Sequence, residues 1–223
     1  MSAILKRRFG LALIASLALA ACGSEPNPAV DYLKGVVGGA KTDSNAGGVV
    51  TADQTAQVLA ATPSPVEFVN IEARNSQALM IGIEQNGPYS TYGTAARQSL
   101  VLRSGMITAT RGLGGDLMSS EEDALLRAVQ SRQAGNAGYQ MHFLTPGDET
   151  KTLSFQCSVV PGGTQAIKAG EINSGGTVMT ATCRGEGGQF DNTYVVDKRG
   201  TILAGRQWVG FTIGFIGTQA LRR

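Results

Sequence analysis

One histidine and three cysteines are all the imidazole and thiol ligands that this 223-residue chain offers to a metal. That scarcity excludes a zinc centre of the usual His/Cys kind, so no metal is expected, and His142 reads as a packed or surface residue on a strand. No apolar run reaches the roughly 20 residues that a membrane-spanning helix needs. The charge is nearly balanced, with 19 Lys and Arg against 17 Asp and Glu. No basic surface remains for a nucleic-acid partner. A phosphate-binding loop is missing too: the glycine-rich run Thr110-Arg111-Gly112-Leu113-Gly114-Gly115-Asp116-Leu117 is not followed by Lys and Ser/Thr. Asp116 would repel a phosphate, so the run reads as a structural turn.

What is present begins with the leader. Lys6, Arg7 and Arg8 precede the apolar stretch Phe9 to Ala20, and Leu19-Ala20-Ala21-Cys22 forms a lipobox. Residues 1–21 read as a lipoprotein signal peptide, with Cys22 taking diacylglycerol and then an N-acyl chain once it is the new N-terminus. These lipids are the one non-protein group expected, and each buried methylene contributes about 0.8 kcal/mol to anchoring. Gly23, rather than Asp, favours the outer membrane, with the protein facing the periplasm. Cleavage removes three basic residues and no acid, leaving the mature chain with one more acid than base.

Cys157 and Cys183 are then the remaining thiols, in a compartment that oxidises them, and a disulfide follows. A central strand separates its neighbours by about 9 to 10 Å, too far for a bridge. The two cysteine strands must pair directly or face each other across two sheets or a closing barrel.

Residues 22–65 read as a lipidated tether with a short helix. Gly23 to Pro28 is polar and proline-bearing, and Gly35 to Val50 is rich in glycine. Thr51 and Gln54 match a capping box before Ala52 to Ala61, which Pro63 and Pro65 terminate. From 66 to 223 the period changes to two, with turns at short intervals, which predicts an antiparallel β meander forming a sandwich or open barrel. Expected strands include Gln98 to Arg103 turning through Ser104-Gly105 onto Met106 to Arg111, with Leu102 facing Ile107 and Leu100 facing Ala109. Thr152 to Val160, Ala166 to Ile172 and Val178 to Arg184 follow. One helix is inserted, with a capping box at Ser119 and Glu122, an apolar stripe of Leu125, Leu126 and Val129, and a stop at Gly135.

The last hairpin carries most information. A three-residue loop of Lys198, Arg199 and Gly200 pairs Asp197 with Thr201 and places Val196 opposite Ile202, Tyr194 opposite Ala204, Asn192 opposite Arg206 and Phe190 opposite Trp208. That face allows two readings. Asn192 and Arg206 form a satisfied polar pair in a core, or Tyr194, Arg206 and Trp208 form a platform for sugar rings.

The lipobox, Ala73-Arg74, the Arg111 to Met118 motif with Asp116, the two-cysteine segment, Asn192-Thr193-Tyr194 and Arg206-Gln207-Trp208-Val209-Gly210 together resemble the YjbF/GfcB family of capsule- and exopolysaccharide-associated lipoproteins. The resemblance runs from about Pro65 onward. It implies an outer-membrane, largely antiparallel β lipoprotein that assists assembly or export of a surface polysaccharide, with the polymer or export-machinery proteins as partners. It transfers no catalytic residue. Asn192, Tyr194, Arg206, Gln207, Trp208, Arg111 and Asp116 become candidate contacts. A glycan-modifying enzyme is the competing expectation and requires two carboxylates about 5 to 9.5 Å apart. Glu84, Asp116, Glu171 and Asp191 are available, but no spacing singles out a pair. A lipid- or lipoprotein-binding half-barrel would instead need a large apolar cavity.

The leader makes a direct prediction: Cys22→Ala moves the protein from the membrane pellet to the soluble fraction, and a variant that still pellets contradicts the anchor.

Overall fold

Thr51 caps helix α1 (Ala52–Ala61) in the computed structural model, which describes residues 48–145 and 147–223. The Gln54 N–H donates to Thr51 Oγ1 at 3.1 Å and the Thr51 N–H donates to Gln54 Oε1 at 2.8 Å, the expected reciprocal box. The leader, Cys22, the tether 23–28 and nearly all of 35–50 lie outside the described residues. Val58 of α1 packs with Val66, Ile81 and Leu221. Arg222 donates to the carbonyls of Leu59 and Thr62 at the C-terminal end of α1, where intrahelical partners run out.

Twelve strands follow: β1 (Val66–Ile71), β2 (Ser76–Asn86), β3 (Tyr89–Gly93), β4 (Ser99–Arg103), β5 (Met106–Arg111), β6 (Leu117–Glu121), β7 (Gly135–Leu144), β8 (Thr150–Ala169), β9 (Ile172–Gly185), β10 (Gly188–Val196), β11 (Ile202–Trp208) and β12 (Phe215–Arg222), with helix α2 (Asp123–Ser131) between β6 and β7. All pairings are antiparallel, and the order is β5-β4-β3-β2-β1-β12-β11-β10-β9-β8-β7-β6. Because the first strand pairs with the last, the meander curls into a nearly closed barrel. This is the open-barrel form of the expected fold class.

The seam falls between β5 and β6, which are consecutive in sequence yet share no ladder. Side chains bridge it instead. Gln207, 2% exposed on β11, accepts from the Ile107 N–H at 3.0 Å and donates to the Ile107 carbonyl at 2.7 Å, standing in for the missing strand on the free edge of β5. The Arg111 guanidinium donates to the carbonyls of Leu117 (3.1 Å) and Met118 (3.0 Å) of β6. Two clusters fill the interior. One joins α2 and β7 to β10 through Leu125, Tyr139, Phe155, Cys157, Cys183 and Phe190. The other joins β1, β2, β4 and β5 to the β11–β12 loop and β12, through Val69, Ile71, Leu100, Ile107, Ile213 and Ile216.

Four expectations change. Ser119 caps no helix: it belongs to β6, and α2 starts after Glu122, whose side chain makes no cap. The Ser119/Glu122 spacing fits a capping box, but Leu117–Glu121 pairs with β7 as an edge strand, and a bulge between Leu117 and Ser119 turns Ser119 and Glu121 outward. The helix stops at Arg132 in the left-handed region, and Gly135 opens β7. A bulge between Val101 and Leu102 keeps Leu102 opposite Ile107 but sets Leu100 against Thr110 rather than Ala109. Thr152 to Val160 and Ala166 to Ile172 are not separate strands, since β8 runs 20 residues without a break. Pro161-Gly162-Gly163 forms a bulge where Gly162 and Gly163 oppose Val178, and a bulge tolerates a proline without an N–H.

Cys157 and Cys183 sit directly opposite each other on β8 and β9, with Cα atoms 3.9 Å apart, and their disulfide is buried. Of the arrangements the sequence allowed, direct pairing is the one formed. Beyond the bulge the hairpin folds across β10 to β12. Ile167 packs on Val195 and Leu203, and the Glu171 N–H donates to the Leu221 carbonyl at 2.8 Å. A Cβ at Gly176 would lie 2.5 Å from the Val196 carbonyl oxygen, so this approach requires glycine.

Glu67 shares the inward face of β1 with Val69 and Ile71 and is 5% exposed. Burial pushes its carboxyl up to about 8, with Arg223 opposing the rise.

Two predictions follow from these contacts. Gln207→Leu strips both partners from Ile107 and lowers stability by about 2 to 4 kcal/mol, read as a lower denaturant midpoint. Between the ordinary carboxylate value of 4.5 and about 8 the folded protein binds more protons at Glu67 than the unfolded chain, so this residue's contribution falls as pH rises through that window. Glu67→Gln flattens the fall and is the more stable form above it, measured by unfolding at matched pH.

Candidate functional site

The β10–β11 turn forms as expected. The Asp197 N–H donates to the Thr201 carbonyl at 2.9 Å, the Gly200 N–H donates to the Asp197 carbonyl at 3.0 Å, and Gly200 takes φ +83°. Val196 also pairs with Ile202. A bulge then places Leu203 in the outer cluster beneath the folded β8–β9 tip, so Val195 pairs with Ala204, Tyr194 with Gly205 and Thr193 with Arg206. The expected pairs Tyr194/Ala204 and Asn192/Arg206 do not form. A one-residue slip in a period-two structure turns Arg206 to the opposite face.

Arg206 consequently grips Glu72 in a two-pronged ion pair, with Nε at 2.7 Å from Oε1 and Nη2 at 2.8 Å from Oε2. Its guanidinium lies 3.5 Å from the centroid of the Phe215 ring. Asn192 is fully buried, and its Oδ1 accepts from the Trp208 N–H at 2.8 Å. Trp208 stacks on Phe190 at 4.7 Å and packs edge-on to Phe155, inside the barrel rather than on an open platform. Tyr194 is buried beside them, and burial pushes its hydroxyl well above the ordinary tyrosine range, as it also does for Tyr139. Gln207 belongs to the seam. Arg111 and Asp116 serve their own turn: Asp116 accepts from the Gly112 and Leu113 N–H groups at 3.0 and 3.1 Å and from Thr110 Oγ1 at 2.8 Å.

The carboxylates considered for acid–base work are dispersed. Glu171 pairs with Arg222, while Glu84 and Asp191 are exposed on β2 and β10. His142 lies on β7 with Nδ1 at 2.9 Å from Thr152 Oγ1. Among the described residues no group of three or more His, Cys, Asp or Glu is placed to hold a metal.

A cleft of about 490 Å³ opens where the chain passes from β6 into α2. One wall holds Tyr89 and Arg103, and the other is the outward face of β7 and β8, where Gly138, Gln140, Ser154 and Gln156 alternate with buried Ala137, Tyr139 and Phe155. Glu122 stands at its corner with a side chain only 2% exposed, and three donors hold it: Arg103 Nη1 at 2.9 Å, Ser120 Oγ at 3.0 Å and Tyr89 Oη at 3.2 Å. Arg103 also contacts Asp123 and lies 5.5 Å from the Tyr89 ring centroid. Glu122 and Asp123 push the guanidinium pKa up, so Arg103 stays charged. The Arg103–Glu122 pair thus ties β4 to the start of α2 across the seam.

Sequence reasoning passed over this cleft. The polar, outward alternation of Gly138-Tyr139-Gln140 and Ser154-Phe155-Gln156 was its available signal, and the same pattern describes any solvated sheet face.

No curated protein matches the chain. Among solved structures, the hypothetical lipoprotein YmcC from Escherichia coli K12 has a similar fold, with a TM-score of 0.65 at 13% identity, covering 79% of this chain and 98% of that one. The family described as group 4 capsule polysaccharide lipoprotein GfcB, YjbF matches residues 47–221, nearly the whole described structure. With that extent of match, and a barrel-like sheet shared with YmcC, the chain belongs to the YjbF family of capsule polysaccharide lipoproteins.

Proposed function

We propose that this protein is a non-enzymatic factor, anchored through lipids on Cys22 to the periplasmic face of the outer membrane, that assists assembly or export of a capsular or exopolysaccharide. Its partners are the polymer and proteins of the export machinery. The observation that carries this reading is the family match over residues 47–221. Geometry supports a binding role: the buried acid of the cleft beside α2, Glu122, is engaged by three donors, Tyr89, Arg103 and Ser120, and so serves to hold β3, β4 and β6 together. Side-chain clusters fill the interior of the barrel, and the polar cleft lies outside them.

Deleting the gene lowers surface polysaccharide while cell-associated polymer persists, and the wild-type gene, unlike Cys22→Ala, restores the surface signal. Unchanged surface polymer in the deletion strain overturns the proposal, and loss of polymer from every fraction reassigns the defect to synthesis.

A further inference from the structure

The cleft beside α2 has the chemistry of a sugar site, and its charge and floor narrow the class of sugar. On the paired strands β7 and β8, Gln140 lies opposite Ser154 and Gly138 lies opposite Gln156. This sets two amides and a hydroxyl around a position with no side chain. A Cβ built at Gly138 finds nothing nearer than Gln156 Nε2 at 3.9 Å, so the floor is open and flat. None of Gln140, Ser154, Gln156 or Arg127 has a hydrogen-bonding partner for its side chain among the described residues, which leaves their donors and acceptors available to a ligand. An amide presents a donor and an acceptor side by side, matching a sugar hydroxyl that both gives and accepts a hydrogen bond. Tyr89 adds an aromatic wall.

The charges lining the cleft are two guanidinium groups, Arg103 and Arg127, against three carboxylates, Glu121, Glu122 and Asp123. Arg103 is already committed to Glu122 and Asp123. A polyanionic chain would meet exposed Glu121 and Asp123 with, among the described residues lining the cleft, a single uncommitted cation, Arg127, to offset them, whereas a neutral chain meets no such penalty. The volume of about 490 Å³ lies within the range of small-ligand sites and suits a short segment of polymer rather than an extended surface.

We propose that this cleft binds a short stretch of neutral glycan, with Gln140, Ser154 and Gln156 contacting hydroxyls over the bare backbone of Gly138. The proposal rests on the polysaccharide reading above and names the substrate class and site for it.

The test uses the full lipidated protein in a detergent without a sugar headgroup, titrated calorimetrically with cellopentaose, maltopentaose and, as the acidic arm, a galacturonic acid pentamer. A neutral pentamer binds the wild type, and Gln140→Ala/Gln156→Ala weakens it about tenfold or more, as expected for two lost hydrogen-bonding groups. Gly138→Val, which fills the floor at a site with room for a side chain, abolishes binding while leaving the unfolding midpoint unchanged. Binding of the acidic pentamer alone, failure of both neutral pentamers, or neutral binding unaffected by either variant overturns the site. The assembly role is judged separately. Surface polymer that is lost on gene deletion but normal in the double variant removes the cleft and keeps the role, whereas unchanged surface polymer in the deletion strain removes the role itself.

Discussion

β5 and β6 end a twelve-stranded ladder, and each has backbone groups turned away from its single strand partner. Burying such groups unpaired costs about 1 to 3 kcal/mol apiece, and a barrel that almost closes brings its edges towards the protein interior. Gln207 resolves this on β5 by reproducing, with one side-chain amide, the donor and acceptor of a neighbouring strand. Its position on β11 joins opposite walls of the sheet, so the interior divides into two packed clusters rather than one continuous cavity. Arg111 serves the other edge, and the Arg103–Glu122 pair ties the seam at the start of α2. The cleft exists because these bridges are side chains: a continuous ladder would have occupied the space they leave open.

The β8–β9 hairpin performs a second closure. Its disulfide lies in the larger interior cluster, while its far half bends over β10 to β12 and covers apolar groups on their outer face. This explains the bulge in β11. Ile202 belongs to the inner cluster, and Leu203 to the outer one beneath the hairpin tip, so β11 is apolar on both faces near its start. Arg206 then points outward to Glu72, and Asn192 is left inside with the Trp208 backbone.

Much of the fold was legible in period-two patterning and turn chemistry: the antiparallel class, the α1 capping box, the Lys198-Arg199-Gly200 turn and the Leu102/Ile107 contact. What escaped has a common physical cause. Bulges at Val101, Pro161 and Leu203 each add residues that no local pattern announces, because tertiary burial decides them, and each shifts the pairing beyond it. The site was less legible for the same reason. Gln207 and Trp208 drew notice as a motif, but their roles in seam and core depend on partners as distant in sequence as Ile107 and Phe155. Gln140 and Gln156 acquire interest only once β7 and β8 are set beside α2 and Arg103.

The pairing of β1 with β12 bears on the order in which the molecule can assemble. Strands β1 to β5 need only local hairpins, but α1 finds Leu221 and Arg222 at the far end of the chain. Contacts of such sequence separation form late, since loop-closure entropy is lost before they repay it. A chain emerging N-terminus first would therefore hold a half-built sheet, with the partner face of β1 bare, until residues 215–222 arrive. In that interval the unpaired edge of β1 is the surface most open to wrong strands, and the final strand acts as the latch that ends the exposure.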